Sequence, residues 1–338
     1  MKLPVPRYLF EYLDEVSAQL TRGTPRGVFL DLDGTLAAIT ATPQETRITP
    51  ETRAVLAELA MRPEYAVAIV SGRAIRDLES IVDIPGIFYA GNHGLEISGR
   101  GVQFAHPDAE QRAALLGAIC RNLEGRLQAI PGVIVEFKTL SASVHFRLAT
   151  AEAVPRVRAA VLEEVAPAQE QLRVTEGRQV LEIRPAVPWD KGRAVRWIIE
   201  QSGCDRFASM CAGDDKTDED MFAVLPDAVT VHVGLGLPTT SARYFVKSPS
   251  GVFAFLRLLL NLQAASGIDP KDTYSIYAAS AARVDEKETM ATPLEGGAAP
   301  HLQVVTETQV VTETQVVTET QVVAETERRN FNGPDNSL

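Results

Sequence analysis

Two carboxylates stand two residues apart in Phe29-Leu30-Asp31-Leu32-Asp33-Gly34-Thr35-Leu36, directly behind an apolar run and ahead of a glycine. A strand-ending turn accounts for the residue types alone, because Asp and Gly are common there. A calcium loop does not. Counted from Asp31, its glycine position holds Leu36 and its closing glutamate position holds Thr42. Paired acids at such a place can divide labour, one as nucleophile or metal ligand and the other as acid and base. Gly34 lets the chain turn sharply, so that backbone amides can face an anion. A second acidic group, Asp214-Asp215-Lys216-Thr217-Asp218-Glu219-Asp220, follows Cys211-Ala212-Gly213. Its acids repel one another unless a cation or a base compensates them. Acids at a helix start explain Asp218 to Asp220, since they favour the helix dipole. They explain less well why Asp214 and Asp215 come straight after an apolar stretch. One magnesium ion, which takes oxygen ligands, accounts for both groups if the fold joins them. Ser71, in Ser71-Gly72-Arg73, offers a hydroxyl to a phosphate oxygen. Lys191, in Asp190-Lys191-Gly192, offers a point positive charge beside nucleophile and phosphate.

These groups need a scaffold that brings distant loops together, and the elements between them supply one. Gly27 to Leu30 and Tyr65 to Val70 are apolar runs suited to buried strands, and Ile87 to Ala90 is a third. Thr49 to Met61 has helical spacing, with Thr49 as N-cap and Pro50 at the first helical position. Strand and helix in alternation are the grammar of a parallel α/β sheet, whose ligands bind at the carboxyl ends of the strands. Between about Leu95 and Ile183 the grammar changes. Helical stretches at Ala109 to Ile130 and Ala153 to Val165 alternate with short strands at Val133 to Phe137, Ala142 to Leu148, Arg173-Val174 and Gln179 to Ile183. This reads as a separate α+β insert. A helix over Arg193 to Gln201 and strands at Phe207 to Ala212, Ala228 to Val233 and Tyr244 to Val246 then resume the first pattern.

The order Asp31-Leu32-Asp33-Gly34-Thr35, Ser71, Lys191, Gly213-Asp214-Asp215 resembles the phosphatases of the haloacid dehalogenase superfamily. The longer run Gly213 to Phe222 is similar to the trehalose-6-phosphate phosphatase family in particular. So are Gly91-Asn92-His93-Gly94-Leu95-Glu96, Glu136-Phe137-Lys138, Ser143-Val144-His145-Phe146-Arg147 and Glu182-Ile183-Arg184-Pro185. Phe137 stands where many members carry a polar residue. The likeness runs from Arg26 to Leu262. It implies a Rossmann-like parallel sheet core with an inserted α+β cap. The expected parts are a lead helix over 1–25, core over 26–95 and 184–262, cap over 96–183 and a tail over 263–338.

The resemblance also implies roles. Asp31 is the nucleophile and Asp33 the general acid and base, with Lys191 beside them. Mg2+ is held by the Asp31 carboxylate, the Asp33 carbonyl and Asp214, with Asp215 and Asp218 in support. Thr35 and Ser71 cradle the phosphate. Asn92, His93, Glu136, Lys138, His145, Glu182 and Arg184 select the sugar. The partners implied are a small-molecule substrate, trehalose 6-phosphate, and a functional link to a trehalose-6-phosphate synthase. Alternatives stay open at this stage. Glu136 and Lys138 also suit the wet face of an antiparallel sheet, and His145 an ordinary sheet position. A phosphatase for another sugar, a phosphomutase, or a phospho-sugar sensor acting through its tail would carry much the same residues.

Composition narrows the partners. The 338 residues carry a net charge of −11, which argues against nucleic acid or an anionic membrane surface. Residues 268–338 alone hold 12 acids against 5 bases, so most of that charge lies outside the core. Cys120, Cys204 and Cys211 form no CxxC pair, and no disulfide framework or zinc site is expected. Met1 to Gln19 lacks a signal-peptide apolar stretch, and Val252 to Leu262 is too short to span a membrane, so a cytoplasmic protein is expected. Gln-Val-Val-Thr-Glu-Thr begins at Gln303, Gln309 and Gln315, with a variant copy at Gln321. Too few copies exist to stack a solenoid, and the composition points to disorder.

Overall fold

A computed structural model describes residues 5–235 and 239–262. The expectations for the tail and its hexapeptide repeats lie outside the described residues. The chain opens with β1 (Arg7–Tyr8) and α1 (Leu13–Leu20), then β2 (Arg26–Leu30), α2 (Pro50–Met61), β3 (Tyr65–Val70) and α3 (Ile75–Val82). Next come β4 (Phe88–Gly91), β5 (Glu96–Gly99) and β6 (Val102–Ala105). Helix α4 (Pro107–Leu127), β7 (Ile134–Phe137), β8 (Ala142–His145), α5 (Val154–Val165), β9 (Leu172–Gly177) and β10 (Val180–Pro185) follow. The chain closes with α6 (Lys191–Ser202), β11 (Asp205–Gly213), α7 (Glu219–Val224), β12 (Val229–Val233), β13 (Tyr244–Val246) and α8 (Pro249–Asn261).

Two sheets result. The larger has nine strands in the order β1-β13-β12-β11-β2-β3-β4-β5-β6, and the smaller has four in the order β7-β8-β10-β9. Strands β1 to β4 and β11 to β13 pair in parallel, whereas β4-β5 and β5-β6 are antiparallel. Successive strands after β2 run outward to one side (β3, β4), and β11, β12 and β13 run to the other. The sheet therefore reverses direction at β2, where an open α/β sheet leaves a crevice.

Burial on both faces explains why the central strands read as unbroken apolar runs. Val28 and Leu30 enter one core, and Phe29 between them enters the other; Tyr65, Val67 and Ile69 likewise oppose Ala66, Ala68 and Val70. Side chains that alternate between two covered faces leave no position for a polar residue. Helix α2 starts as the sequence expects, with the Thr49 hydroxyl accepting from the Thr52 amide at 3.1 Å. The apolar run from Val252 falls within α8, which is largely buried while Arg257 meets solvent. No helix among the described residues is long and apolar enough to cross a membrane.

Two boundaries differ from the sequence reading. Residues 96–105, expected to open the insert, form the β5-β6 hairpin, and Gly91 pairs with Glu96 to make it an extension of the large sheet. Antiparallel pairing needs only a tight turn, so the hairpin joins the sheet without a crossover. The lead is not one helix either. Arg7 and Tyr8 pair with β13, and α1 begins only at Leu13. Arg7 is drawn there by Glu15, with N–O distances of 2.9 and 2.7 Å, and by stacking over Tyr12 and Tyr244.

Candidate active site

The register of the large sheet decides which loops meet. Phe29 lies opposite Cys211 and Leu30 opposite Ala212, so the chain leaves β2 and β11 side by side. The Asp31 amide still donates to the Ala212 carbonyl at 3.0 Å, which pins the first carboxylate beside the second acidic loop. Gly34 turns the loop with φ at 85°, and a Cβ at this position would collide with the Asp214 carboxylate. Glycine is required there twice, for the positive φ and for the close approach. Lys191 opens α6, capped by Asp190, whose side chain accepts from the Arg193 amide at 2.8 Å. Its ammonium donates to Asp31 Oδ1 and to Asp218 Oδ1, both at 2.7 Å, and all three side chains are buried.

Oxygens of Asp31, Asp214 and Asp218 lie within 4.8 Å of one another. Burial pushes Asp31 well above the usual carboxylate range against the pull of Lys191. Burial, then repulsion from Asp218 and Asp215, pushes Asp214 up to about 7. The Lys191 ammonium is lowered by burial but raised further by Asp218 and Asp31, so it stays charged. With all three ionised, these carboxylates against one ammonium would leave two negative charges uncompensated, and an all-oxygen set of this kind fits a divalent cation. Asp215 stands outside this triad. Its side chain accepts from the Lys216 amide at 2.5 Å, and its own amide donates to Asp218 Oδ2 at 2.9 Å, so it caps the turn that carries Asp218.

Asp33 also stands apart. Arg73 Nε donates to its Oδ2 at 2.6 Å and Nη2 to its Oδ1 at 2.7 Å, and the Thr46 hydroxyl adds a third bond at 3.0 Å. Ser71 directly follows β3 and lines the cavity, with its Oγ accepting from the Arg73 amide at 3.2 Å. Thr35 is fully buried behind the cavity wall, and its hydroxyl has no hydrogen-bond partner among the described residues.

A cavity of about 680 Å³ separates these groups from the four-stranded sheet. That volume is in the range of small-molecule sites. Across three strands the register sets Glu136, Ser143 and Glu182 in one row, with Ile134, His145 and Val180 in the next but one. Residues two apart share a face, so Glu136, Lys138, Ser143, His145 and Glu182 form one polar surface. Glu136, Lys138, His145 and Glu182 line the cavity, whereas Val135, Val144 and Leu181 point into the insert's own core. The polar face is thus turned toward the acids. His145 Nε2 lies 2.8 Å from Glu136 Oε2, and Ser143 Oγ donates to Glu182 Oε1 at 2.8 Å. Lys138 Nζ lies 3.8 Å from Glu136 and 3.7 Å from Glu182, and donates to the Gly72 carbonyl at 3.0 Å.

Burial alone would raise Glu182, but the Lys138 charge and the His93 hydrogen bond outweigh it and hold it below the usual range. Glu136 is likewise lowered, because His145 and Lys138 overcome its burial. His93 Nε2 donates to Glu182 Oε2 at 3.2 Å, since a carboxylate can only accept. Burial nevertheless pulls His93 down to about 4, and its Nδ1 has no hydrogen-bond partner among the described residues.

Two expected sugar-selecting residues do not line the cavity. Asn92 donates to Glu96 Oε1 at 2.6 Å and to the Lys138 carbonyl at 3.0 Å, and its Oδ1 accepts from Ser141 Oγ. Its amide ties the two sheets together and is spent. Arg184 shares the face of Glu182 but lies further along β10, opposite Arg173 and buried, where burial lowers its pKa despite Glu182 nearby. Conversely, Arg73, Thr46, Arg178 and Lys216 line the cavity without having been assigned roles from sequence, and Arg147, which closes the Ser143-to-Arg147 motif, lines it as the sequence suggests. Arg73 had a signal, since it follows Ser71-Gly72 at a strand end. Thr46 and Arg178 are single residues that no pattern marks, whereas Lys216 lies within the Gly213-to-Phe222 run.

A family model described as trehalose-phosphatase matches residues 29–250, a span that contains every residue named in the site. A trehalose-phosphate phosphatase of Mycobacterium marinum is 38% identical over 236 residues, covering 68% of this chain and 60% of that relative. This chain spans 60 to 65% of the length of the first curated relatives it matches. A crystal structure of a trehalose-6-phosphate phosphatase related protein superposes with a TM-score of 0.63 at 24% identity, covering 71% of this chain and 99% of that one. A haloacid dehalogenase-like hydrolase from Bacteroides thetaiotaomicron gives 0.50 at 17%, covering 69% and 99%. At these identities the structural likeness speaks to the fold, which is that of the haloacid dehalogenase-like hydrolases.

Proposed function

The chain belongs to the trehalose-phosphatase family, and from that premise we propose that it hydrolyses trehalose 6-phosphate to trehalose and inorganic phosphate. The observation that carries this reading is the placement of the Lys191 ammonium, 2.7 Å from Asp31 and from Asp218, on the floor of a cavity roofed by a polar sheet. A carboxylate attacks a phosphate dianion only if the repulsion between them is offset. Lys191 supplies part of that offset from a fixed position.

Asp31 is the nucleophile in this reading, and its oxygen bonds to phosphorus as the sugar oxygen leaves, giving an aspartyl-phosphate. Asp33 gives its proton to the leaving oxygen, then takes one from the water that hydrolyses the acyl phosphate. Ser71 offers a hydroxyl to the phosphate oxygens, whereas Thr35, buried behind the cavity wall, is not placed to share that task. Asp31, Asp214 and Asp218, with the Asp33 carbonyl, would hold a divalent cation that we take to be Mg2+, and the bound ion supplies the remaining charge compensation. On the insert, Glu136, Lys138, His145 and Glu182 present alternating acceptors and donors, as sugar hydroxyls require. His93 holds Glu182 from the core side. The substrate places the enzyme after a reaction that forms trehalose 6-phosphate, which is the link to a synthase.

The test is phosphate release with Mg2+ from a panel of sugar phosphates. Trehalose 6-phosphate is expected to lead by at least tenfold in kcat/KM; equal turnover of sucrose 6-phosphate or a mannose phosphate overturns the substrate assignment. Asp31→Asn is expected to abolish turnover while leaving the thermal midpoint within a few degrees of the parent.

A further inference from the structure

Arg73 is the cation nearest the second carboxylate, and its hydrogen bonds reveal what it is placed to do. Nε donates to Asp33 Oδ2 at 2.6 Å, and Nη2 donates to Asp33 Oδ1 at 2.7 Å and to Thr46 Oγ1 at 2.8 Å. Nη1 donates to the Pro43 carbonyl at 2.9 Å. A guanidinium has five N–H groups, so these four bonds leave one for anything else. A residue placed to grip phosphate keeps its fork open toward the ligand; this fork is closed on Asp33. The Arg73 side chain is only 11% exposed, and the charge of Asp33 offsets the cost of burying it.

Thr46 completes the clamp. It is fully buried, donates to Asp33 Oδ1 at 3.0 Å, and is itself 3.1 Å from the Thr40 hydroxyl. Both Thr46 and Pro43 belong to the connection between β2 and α2, and Arg73 follows β3. Asp33 is therefore gripped from two neighbouring loops, and both of its oxygens are held. Its side chain is 36% exposed, so nothing in its own packing would fix the rotamer.

We propose that Arg73 and Thr46 are positioning residues for the proton-transfer step: together they hold the Asp33 carboxylate in the one orientation from which it reaches the leaving oxygen, and they do not bind the phosphoryl group. The inference rests on the reading of Asp33 as general acid and base. A general acid matters in proportion to how poor the leaving group is. An alkoxide from a sugar needs its proton, whereas 4-nitrophenolate leaves without one. A phosphate-binding cation would matter equally for both.

The experiment compares wild type with Thr46→Val and Arg73→Lys in single turnovers with enzyme in excess, following release of the leaving group from trehalose 6-phosphate and from 4-nitrophenyl phosphate. Inhibition by inorganic phosphate is measured alongside. The proposal expects a ten- to hundredfold slower release of trehalose, less than threefold slower release of nitrophenol, and a phosphate inhibition constant changed by less than twofold. Equal losses on both substrates, or a phosphate constant raised tenfold, would place Arg73 on the phosphoryl group and overturn it; full activity of both variants on the sugar overturns it as well. If Arg73→Lys fails to fold, the near-isosteric Thr46→Val decides the question alone. A wild type that turns over nitrophenyl phosphate but no sugar phosphate would sink the functional reading instead, and the two failures are thereby distinct.

Discussion

At the scale of single residues, the site is governed by what burial does to charge. Asp31, Asp214 and Asp218 meet around Lys191, and the acids gain what stability they have from that ammonium and from any cation added to it. His93 is the converse case, a neutral base held inside. Its folded-state pKa of about 4 lies below the usual histidine value of 6.5, with burial as the first cause. Between those two values the unfolded chain binds a proton that the folded one refuses, so stability falls as pH drops from about 6.5 to about 4. A His93→Asn variant keeps a residue type tolerant of the positive φ of 58° at this position and removes that proton site. Denaturant titrations at pH 7 and pH 4.5 are expected to show the wild type losing more stability than the variant over that interval. Equal losses would mean that His93 is not held neutral.

At the scale of elements, the loop after β2 is where backbone geometry and chemistry are inseparable. Gly34 combines a φ of 85° with an approach to Asp214 too close for any Cβ. Replacement by alanine adds about 1–2 kcal/mol of backbone strain, and also pushes Asp214 out of the triad. Gly34→Ala is expected to raise the Mg2+ concentration needed for half-maximal activity by more than tenfold; a metal titration of activity checks it, and an unchanged midpoint rejects it. The four-stranded sheet is the second such element. Period-two alternation is plain in Glu136 to Lys138 and in Ser143 to His145, and it was legible that these residues share a face. Which way that face points was not. Alternation is the same whether the polar side meets water or an active site, and only the docking of the insert over the ends of β2 and β11 turns it toward the acids. Asn92 shows the limit from the other side, because adjacency in a motif does not reveal that its side chain is consumed by tying the two sheets together.

At the scale of the whole molecule, two outcomes are expected. The uncompensated charge of the triad makes cation binding a folding term. Mg2+ at about 100 times its dissociation constant would add about 2.7 kcal/mol. A thermal midpoint that rises with Mg2+ in the wild type and fails to rise in Asp214→Asn checks this, and a chelator is expected to abolish turnover. Truncation after Leu262 is expected to leave turnover and the midpoint unchanged, since the site and the described cores lie within the retained residues. Collapse of catalysis in a still-folded truncation would assign the tail a role. By itself the sequence determined the alternation of buried strands and helices, the loops that carry Asp31, Ser71, Lys191 and Asp214, and the presence of an insert, because each is written in local periodicity and residue type. Only the tertiary structure decided that Asp218 joins the triad while Asp215 caps a turn, that 96–105 belongs to the large sheet, and that Arg73 and Thr46 close on Asp33. These depend on register and side-chain competition between segments far apart in the chain, and local residue patterns do not encode either.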